Sequence, residues 1–350
     1  MRFREHLRML GRIQMLPVLE SGEETLIGGQ AVMEGVMMRS PHSYCIAVRK
    51  PDGTVATESK PLEKVSERYP IFKYPVLRGL GTLGQAMKLG FTALQFSANI
   101  AAEALLPAST VAVNAMAPGC VAAGGDEAKG TAAKKEGPFN NWIMGIQLAF
   151  SILFFIVAYK LVPLWITERI TAGSPELHGR FAFNFIDGVI RIAIFLTFLY
   201  AMSRMKDIRR VFEYHGAEHR VVFNFESGKP VDIPTAQSFQ TFHPRCGTSF
   251  LITVMIISMV VYTVLPFDSF SAKLLSRIVL IPLIAGLSYE IIRFAAKRQG
   301  SLLALLTAPG LWLQRITTKN PTDDQTEIAI VALRGAMELE QKHGGELVIA

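Results

Sequence analysis

Four long runs of Leu, Ile, Val, Phe, Ala and Met, at 142–166, 183–203, 249–266 and 278–295, restrict this chain more than any other feature. A helix crosses the hydrocarbon core of a bilayer with about 20 such residues, within a range of about 17–25. In a large soluble core some of these runs would carry a polar face, yet the stretch from Phe250 to Leu265 contains no charged residue. The expectation is a predominantly α membrane protein with about four transmembrane helices, a small N-terminal β unit and amphipathic or interfacial helices.

The basic residues orient these helices. Lys129, Lys134 and Lys135 precede the first run, and Arg204, Lys206, Arg209, Arg210, Arg220, Lys229 and Arg245 lie between the second and third. Lys297, Arg298 and Arg315 follow the fourth, whereas the connections at 167–182 and 267–277 hold only Arg169, Arg180, Lys273 and Arg277. The positive-inside rule then places both termini and the 204–248 segment in the cytoplasm. The net charge of +7 reads as a topology signal and a contact surface for anionic lipid. No RNA-binding aromatic motif accompanies it, so the bilayer is the expected partner and nucleic acid is not. Cys45, Cys120 and Cys246 are too few for a disulfide framework and are expected to be reduced.

Composition divides the chain further. Residues 1–25 suit a basic amphipathic helix, with Phe3, Leu7, Leu10 and Ile13 recurring among arginines. Residues 26–75 read as a small cytoplasmic β unit, with Pro51-Asp52-Gly53 turning between two short strands. An amphipathic or membrane-associated helix is expected at 76–117, and a flexible linker at 118–140, rich in Gly, Ala and charge. The first two spans fall in 142–203, a His/Cys loop in 204–248, the last two spans in 249–295, and an interfacial segment with a C-terminal helix in 296–350. Gly79, Gly81 and Gly84 satisfy a dinucleotide-binding pattern formally, but their surroundings are helical and the expectation is close helix packing.

Two donor pairs carry the chemistry. His215 and His219 stand at i and i+4, so on a helix both imidazoles project from one face, with Glu218 beside them. This order, H-x-x-E-H, matches the metallohydrolase pattern in which two His bind zinc and the Glu activates water. Further along come His243 and Cys246, at a spacing that zinc sites use. A divalent metal is expected here, zinc first and iron or cobalt second, because imidazole and thiolate donors suit it. If all four ligate, the site is closed and structural; if three do, the fourth position takes a water and Glu218 is the candidate catalytic base. The competing reading is of unrelated histidines, with Gly216 breaking the helix.

Accessory candidates are less specific. Glu290, near the cytoplasmic end of the fourth run, has Arg293 at i+3 as one partner and a metal or a proton as the other. Glu34 and Arg39 lie in the Gly- and Met-rich segment 28–41 and could pair with each other or complete a site with the 204–248 loop; the alternative is a structured interface segment. Asp187 and Arg191, at i and i+4, are expected to neutralise each other, and Lys160 to snorkel.

Taken together, GGQAVMEGVMMRSP at 28–41, YHGAEH at 214–219, FHPRCGTSFL at 242–251, SYEIIR at 288–293 and the APGLWLQRITTKNP segment from 308 resemble the YqhQ-like family. The resemblance covers nearly the whole chain, with a long 107–140 linker as the main departure. It implies a bacterial inner-membrane protein and a predicted metal-dependent enzyme, and it brings no substrate. Two functions follow as expectations. One is a membrane-bound metal-dependent hydrolase acting on a lipid-linked or membrane-protein substrate. The other is a non-enzymatic scaffold or assembly factor for other membrane proteins, with a structural zinc. Transport is disfavoured by the scarcity of intramembrane charge.

Overall fold

The computed structural model describes residues 27–63, 65–105, 141–177, 179–243, 246–297 and 308–342. The expectations for 1–25 and 118–140 fall outside these residues.

The N-terminal sheet is an antiparallel meander of β1 Gly28–Val32, β2 Gly35–Arg39, β3 Ser43–Arg49 and β4 Val55–Pro61, in that order. Segment 28–41 is thus the first hairpin, turning at Met33-Glu34, where Glu34 adopts φ 54°. Alternation along the strands feeds two cores. Val36, Met38, Cys45 and Ala47 face one side, while Met37, Tyr44, Ile46 and Val48 face the other.

Helix α1 Leu77–Leu105 covers the second face through Leu89, Ala93 and Ile100. The first face is covered by two helices, α4 Lys206–Glu226 and α9 Asp323–Lys342. Tyr214, Ala217 and Val221 of α4 meet Ile328, Ala329 and Leu333 of α9 against the sheet. Most of these residues are fully buried, so the three-layer unit forms a well-packed core of its own.

The remaining helices form an apolar bundle. Helix α2 covers 141–172 and contains a π-helical turn at Val157–Leu161. Pro163 explains that turn, since its ring lacks an N–H and clashes with the carbonyl one turn earlier. Helix α3 is Arg180–Ser203, α5 Gly247–Val264, α6 Phe270–Val279, α7 Ile281–Lys297 and α8 Ala308–Thr317. Two helices, Ala149–Ala172 and Arg180–Ser203, are long and apolar enough to cross a bilayer, and the pair α6–α7, bent by 53°, makes a third if it is one span. The apolar part of α5, Phe250–Val264, is shorter. The four runs therefore resolve into two or three candidate spans among the described residues. Phe150, Leu153, Phe154, Phe181 and Phe185 are exposed on α2 and α3, the arrangement that an apolar surrounding favours and water does not.

Three local expectations change. Lys160 does not reach outward: it is 8% exposed, inside the bundle, because the π-helical turn carries it inward. Glu290 is engaged by Arg78 of α1, whose Nε donates at 2.6 Å, and not chiefly by Arg293. Asp187 pairs with Arg191 as expected, but Arg277 of α6 also joins it. The close-packing expectation holds for Gly79, where a Cβ would stand 2.8 Å from Cβ of Tyr289, and for Gly81, 2.9 Å from the Phe72 ring. Gly84 faces open space.

Candidate metal centre

Helix α4 runs without a break through Gly216, so His215 and His219 do lie one turn apart on one face. Gly216 has a different task. The backbone carbonyl of Lys319 approaches so closely that a Cβ at Gly216 would overlap it. This contact docks the segment after α8 onto α4, where Lys319 N also donates to Phe212 O at 2.9 Å.

Each imidazole is oriented by a backbone carbonyl. His215 Nδ1 lies 2.8 Å from Thr317 O, and His219 Nδ1 lies 2.5 Å from Thr241 O. A carbonyl only accepts, so each Nδ1 carries a proton, and the neutral form of each ring offers Nε2 as its lone-pair donor. His215 Nε2 is 3.2 Å from Cys246 Sγ. His219 Nε2 is buried and has no hydrogen-bond partner among the described residues. One ligand atom from each of His215, His219 and Cys246 falls within 4.8 Å of the others, and this His2Cys cluster could bind a metal ion. A tetrahedral ion with bonds of about 2.0–2.3 Å needs donors roughly 3.3–3.8 Å apart, which small side-chain shifts would provide. An orphaned buried lone pair beside a thiol is what such an ion would satisfy.

Glu218 closes in from the same helix. Its Oε2 stands 3.8 Å from both His215 Nε2 and His219 Nε2, and its side chain is 9% exposed. Strand β1 presses on it: a Cβ at Gly29 would stand 2.7 Å from Cγ of Glu218. Arg39 of β2 is the nearby cation. Burial lowers the pKa of its guanidinium, while Tyr289 and Glu218 act in the opposite direction. Among the described residues no hydrogen bond or ion pair engages Arg39.

His243 lies beside the cluster and outside it. Its ring is 5.5 Å from that of His219, and its Nε2 is 3.7 Å from Glu226 Oε2. Burial, in an environment that also includes Glu218 and His215, lowers its pKa to about 4, so it is neutral at physiological pH. Glu34 is elsewhere. It takes a two-pronged pair from Arg210, at 2.5 Å on each prong, and stands 3.3 Å from the Tyr214 hydroxyl. Burial and then the Glu34 carboxylate push that hydroxyl up to about 12. Glu290, held by Arg78 and by Val76 N at 3.2 Å, ties α7 to α1.

Sequence reasoning missed the positioning residues. Gln314 of α8 is completely buried; it accepts from His243 N at 2.8 Å and donates to His243 O at 2.7 Å. The loop leading to Cys246 is thereby fixed to the same helix whose end supplies Thr317 O. The one available signal was Gln314 standing among Leu311, Trp312 and Leu313, a polar group that an apolar segment must satisfy.

Fold and site define the class: a largely helical protein with apolar helices of membrane-spanning length and a His2Cys cluster where its capping unit meets them. Residues 74–339 match the family described as Protein of unknown function (DUF1385). The chain is also 32% identical over 315 residues to the "Uncharacterized protein YqhQ" of Bacillus subtilis (strain 168), covering 89% of this chain and 92% of that protein. The chain belongs to this family. No solved structure matches it.

Proposed function

We propose that this chain is a multi-pass protein of the bacterial cytoplasmic membrane, in which the shorter apolar helix α5 joins the two long helices and the bent α6–α7 pair as a fourth span, with cytoplasmic termini and a metal-dependent hydrolase site at the cytoplasmic face. The observation that carries the reading is the convergence of two oriented Nε2 lone pairs and one thiol sulfur at the membrane-proximal start of α5. Zinc fits this donor set best. Such an ion, when bound, supplies an acidified water and polarises the scissile group.

The chain's own residues then divide the work. His215, His219 and Cys246 would hold the ion. Glu218, equidistant from both imidazoles, is placed to act as the general base towards a water activated there. Arg39, a cation beside Glu218 that no hydrogen bond or ion pair engages among the described residues, receives the anionic part of the substrate. His243 supports the walls of the site, since its Nε2 faces Glu226. A lipid-linked or membrane-protein substrate suits a site at the end of the apolar bundle.

The second reading, a structural zinc in an assembly factor, is favoured by the depth of the cluster and by the 3.2 Å approach of Cys246 to His215. Cobalt substitution separates the two. In the hydrolase reading the cobalt spectrum shows a thiolate band and shifts when azide is added, and Glu218→Gln keeps the metal. A spectrum insensitive to azide would mean a closed shell and end the hydrolase reading.

A further inference from the structure

Helix α1 carries an apolar stripe that the sheet does not cover. Leu89, Ala93 and Ile100 pack on the sheet, whereas Met87, Phe91 and Leu94, spaced i, i+4 and i+7, are 67%, 47% and 47% exposed. At about 100° per residue the two rows point roughly 150° apart. Just before the helix, the short turn Pro70–Lys73 and the residue after it add Ile71 and Tyr74, both more than half exposed. A contiguous surface of this kind marks a place of contact. The helix is 29 residues long but, interrupted by Gln85, Lys88 and Gln95, is not among those apolar enough to cross a bilayer.

Two ties fix how this helix lies. Near its start it packs on α7 of the bundle, with Val76 against Gly286, Gly79 against Tyr289 and Arg78 on Glu290. Further along, Ser97 Oγ donates to Met33 O at 2.6 Å, at the turn of the first hairpin, whose Glu34 takes Arg210 of α4 shortly after α3 ends at Ser203. Both ties are at the end of the bundle that carries the metal cluster. The 18 residues from Gly79 to Ser97 cover about 27 Å at 1.5 Å each, so the helix lies across that end. Gly79, the point of contact with α7, projects between the two rows. The stripe therefore emerges beside α7, whose own Leu283 and Phe294 are exposed.

Charge selects the partner. From Arg68 to Ala102 the sequence holds Arg68, Lys73, Arg78 and Lys88 and no Asp or Glu. Arg78 is taken by Glu290, while among the described residues no ion pair or side-chain hydrogen bond engages Lys73 or Lys88. A second copy of the chain would bring this acid-free, cationic face against itself, which like charges oppose. A leaflet with anionic lipid takes both parts of the surface, the apolar side chains at the acyl boundary and the cations at the headgroups. Tyr74, apolar in its ring and polar at its tip, suits the same boundary.

We propose that α1 and the turn before it dock on the cytoplasmic leaflet, with Met87, Phe91 and Leu94 set into the headgroup boundary and Lys73 and Lys88 on anionic headgroups. The proposal rests on the membrane reading above and is independent of the metal and its chemistry. Through the Arg78–Glu290 and Ser97–Met33 contacts the docked helix holds the sheet, and with it Gly29 against Glu218, at a fixed height over the leaflet.

The test uses the full-length protein in nanodiscs of phosphatidylglycerol and phosphatidylcholine that contain a trace of a phospholipid with a diazirine close to its glycerol. After irradiation, labelled peptides are mapped by mass spectrometry. The peptide with Met87, Phe91 and Leu94 should be labelled together with those of α3. Omitting phosphatidylglycerol should lower the α1 label roughly twofold or more with the α3 label unchanged. Met87→Glu combined with Phe91→Glu alters exposed side chains only, and should lower the α1 label roughly fivefold, again with α3 unchanged as the check on folding. Label on α3 with none on α1, or an α1 label that persists in the double variant or is indifferent to phosphatidylglycerol, overturns the proposal and leaves the membrane reading standing. A dimer in native mass spectrometry that the double variant dissociates, in place of lipid label on α1, overturns it in favour of a second copy. Label on neither helix ends the membrane reading and the proposal with it.

Discussion

The carbonyl oxygen of Thr317 lies 2.8 Å from Nδ1 of His215, joining the end of α8 to the ring that turns its other nitrogen towards Cys246. The bond holds only while the chain after Thr317 stays pressed on α4. Gly216 permits this, because any side chain there would meet Lys319 O. Gly216→Ala should therefore cost roughly 1–3 kcal/mol through overpacking and also release the His215 ring. Thermal unfolding with metal analysis of the same preparation checks both. Unchanged metal content in a destabilised variant would disconnect Gly216 from the site.

Gln314 makes the second tie. Leucine has nearly its shape but neither bonding group, so Gln314→Leu removes both bonds to the His243 backbone, whose carbonyl keeps the longer one from Cys246 N at 3.4 Å. Loss of a buried backbone hydrogen bond costs about 1–3 kcal/mol, and loss of second-sphere support weakens metal sites roughly 10–100-fold. Competition against a chelator of known affinity measures the effect. It should exceed that of Trp312→Phe, since Trp312 is 64% exposed on the same helix.

These two ties mark how far the site was legible. The i, i+4 spacing of His215 and His219 is a property of any helix, so their pairing could be read directly, and Cys246 follows from the short reach between donors. His243 matched the same spacing rule, but the fold places its Nε2 near Glu226. The orienting groups are backbone carbonyls, which no residue type advertises, and Thr317 is 102 positions from His215. Composition disclosed the apolar runs, while the bend between α6 and α7 depends on local breaks that composition averages away. Lys160 was misjudged because snorkelling assumes a regular helix, and Pro163 disturbs that helix.

The sheet and the C-terminal helix are joined by an acid-sensitive clamp. Glu340, 2% exposed, accepts from Ser40 Oγ at 2.6 Å and from His42 N at 2.9 Å, and pairs with His42 Nδ1 at 2.8 Å. Burial works to raise its pKa, but the bonds from Ser40 and His42 together outweigh it and hold it below the ordinary glutamate value. A depressed folded-state value contributes stability that is complete above the unfolded value and lost as pH falls through the folded one. Wild type should then lose protection of β3 and α9 from amide exchange on acidification, whereas Glu340→Gln should be weaker at neutral pH and lose less on acidification. Parallel acid profiles for the two proteins would remove Glu340 from this role.

The contact between Arg78 and Glu290 decides how the capping unit is held on the bundle. Arg293 sits one helical turn from Glu290 and would satisfy it without involving α1, so a local pair and a long-range one predict different genetics. With Arg78 as partner, separated by 212 positions, Arg78→Glu and Glu290→Arg should each destabilise the protein, and the double exchange should restore part of the loss. The side chains are 31% and 18% exposed, so water screens the pair and the coupling should fall at roughly 0.5–3 kcal/mol. With Arg293 as the true partner, the exchange at Arg78 would rescue nothing and Arg293→Glu would do so instead. Thermal unfolding of the four proteins in detergent distinguishes these cases. Because Gly79 packs against Tyr289 beside this pair, rescue would also fix the register of α1 on α7.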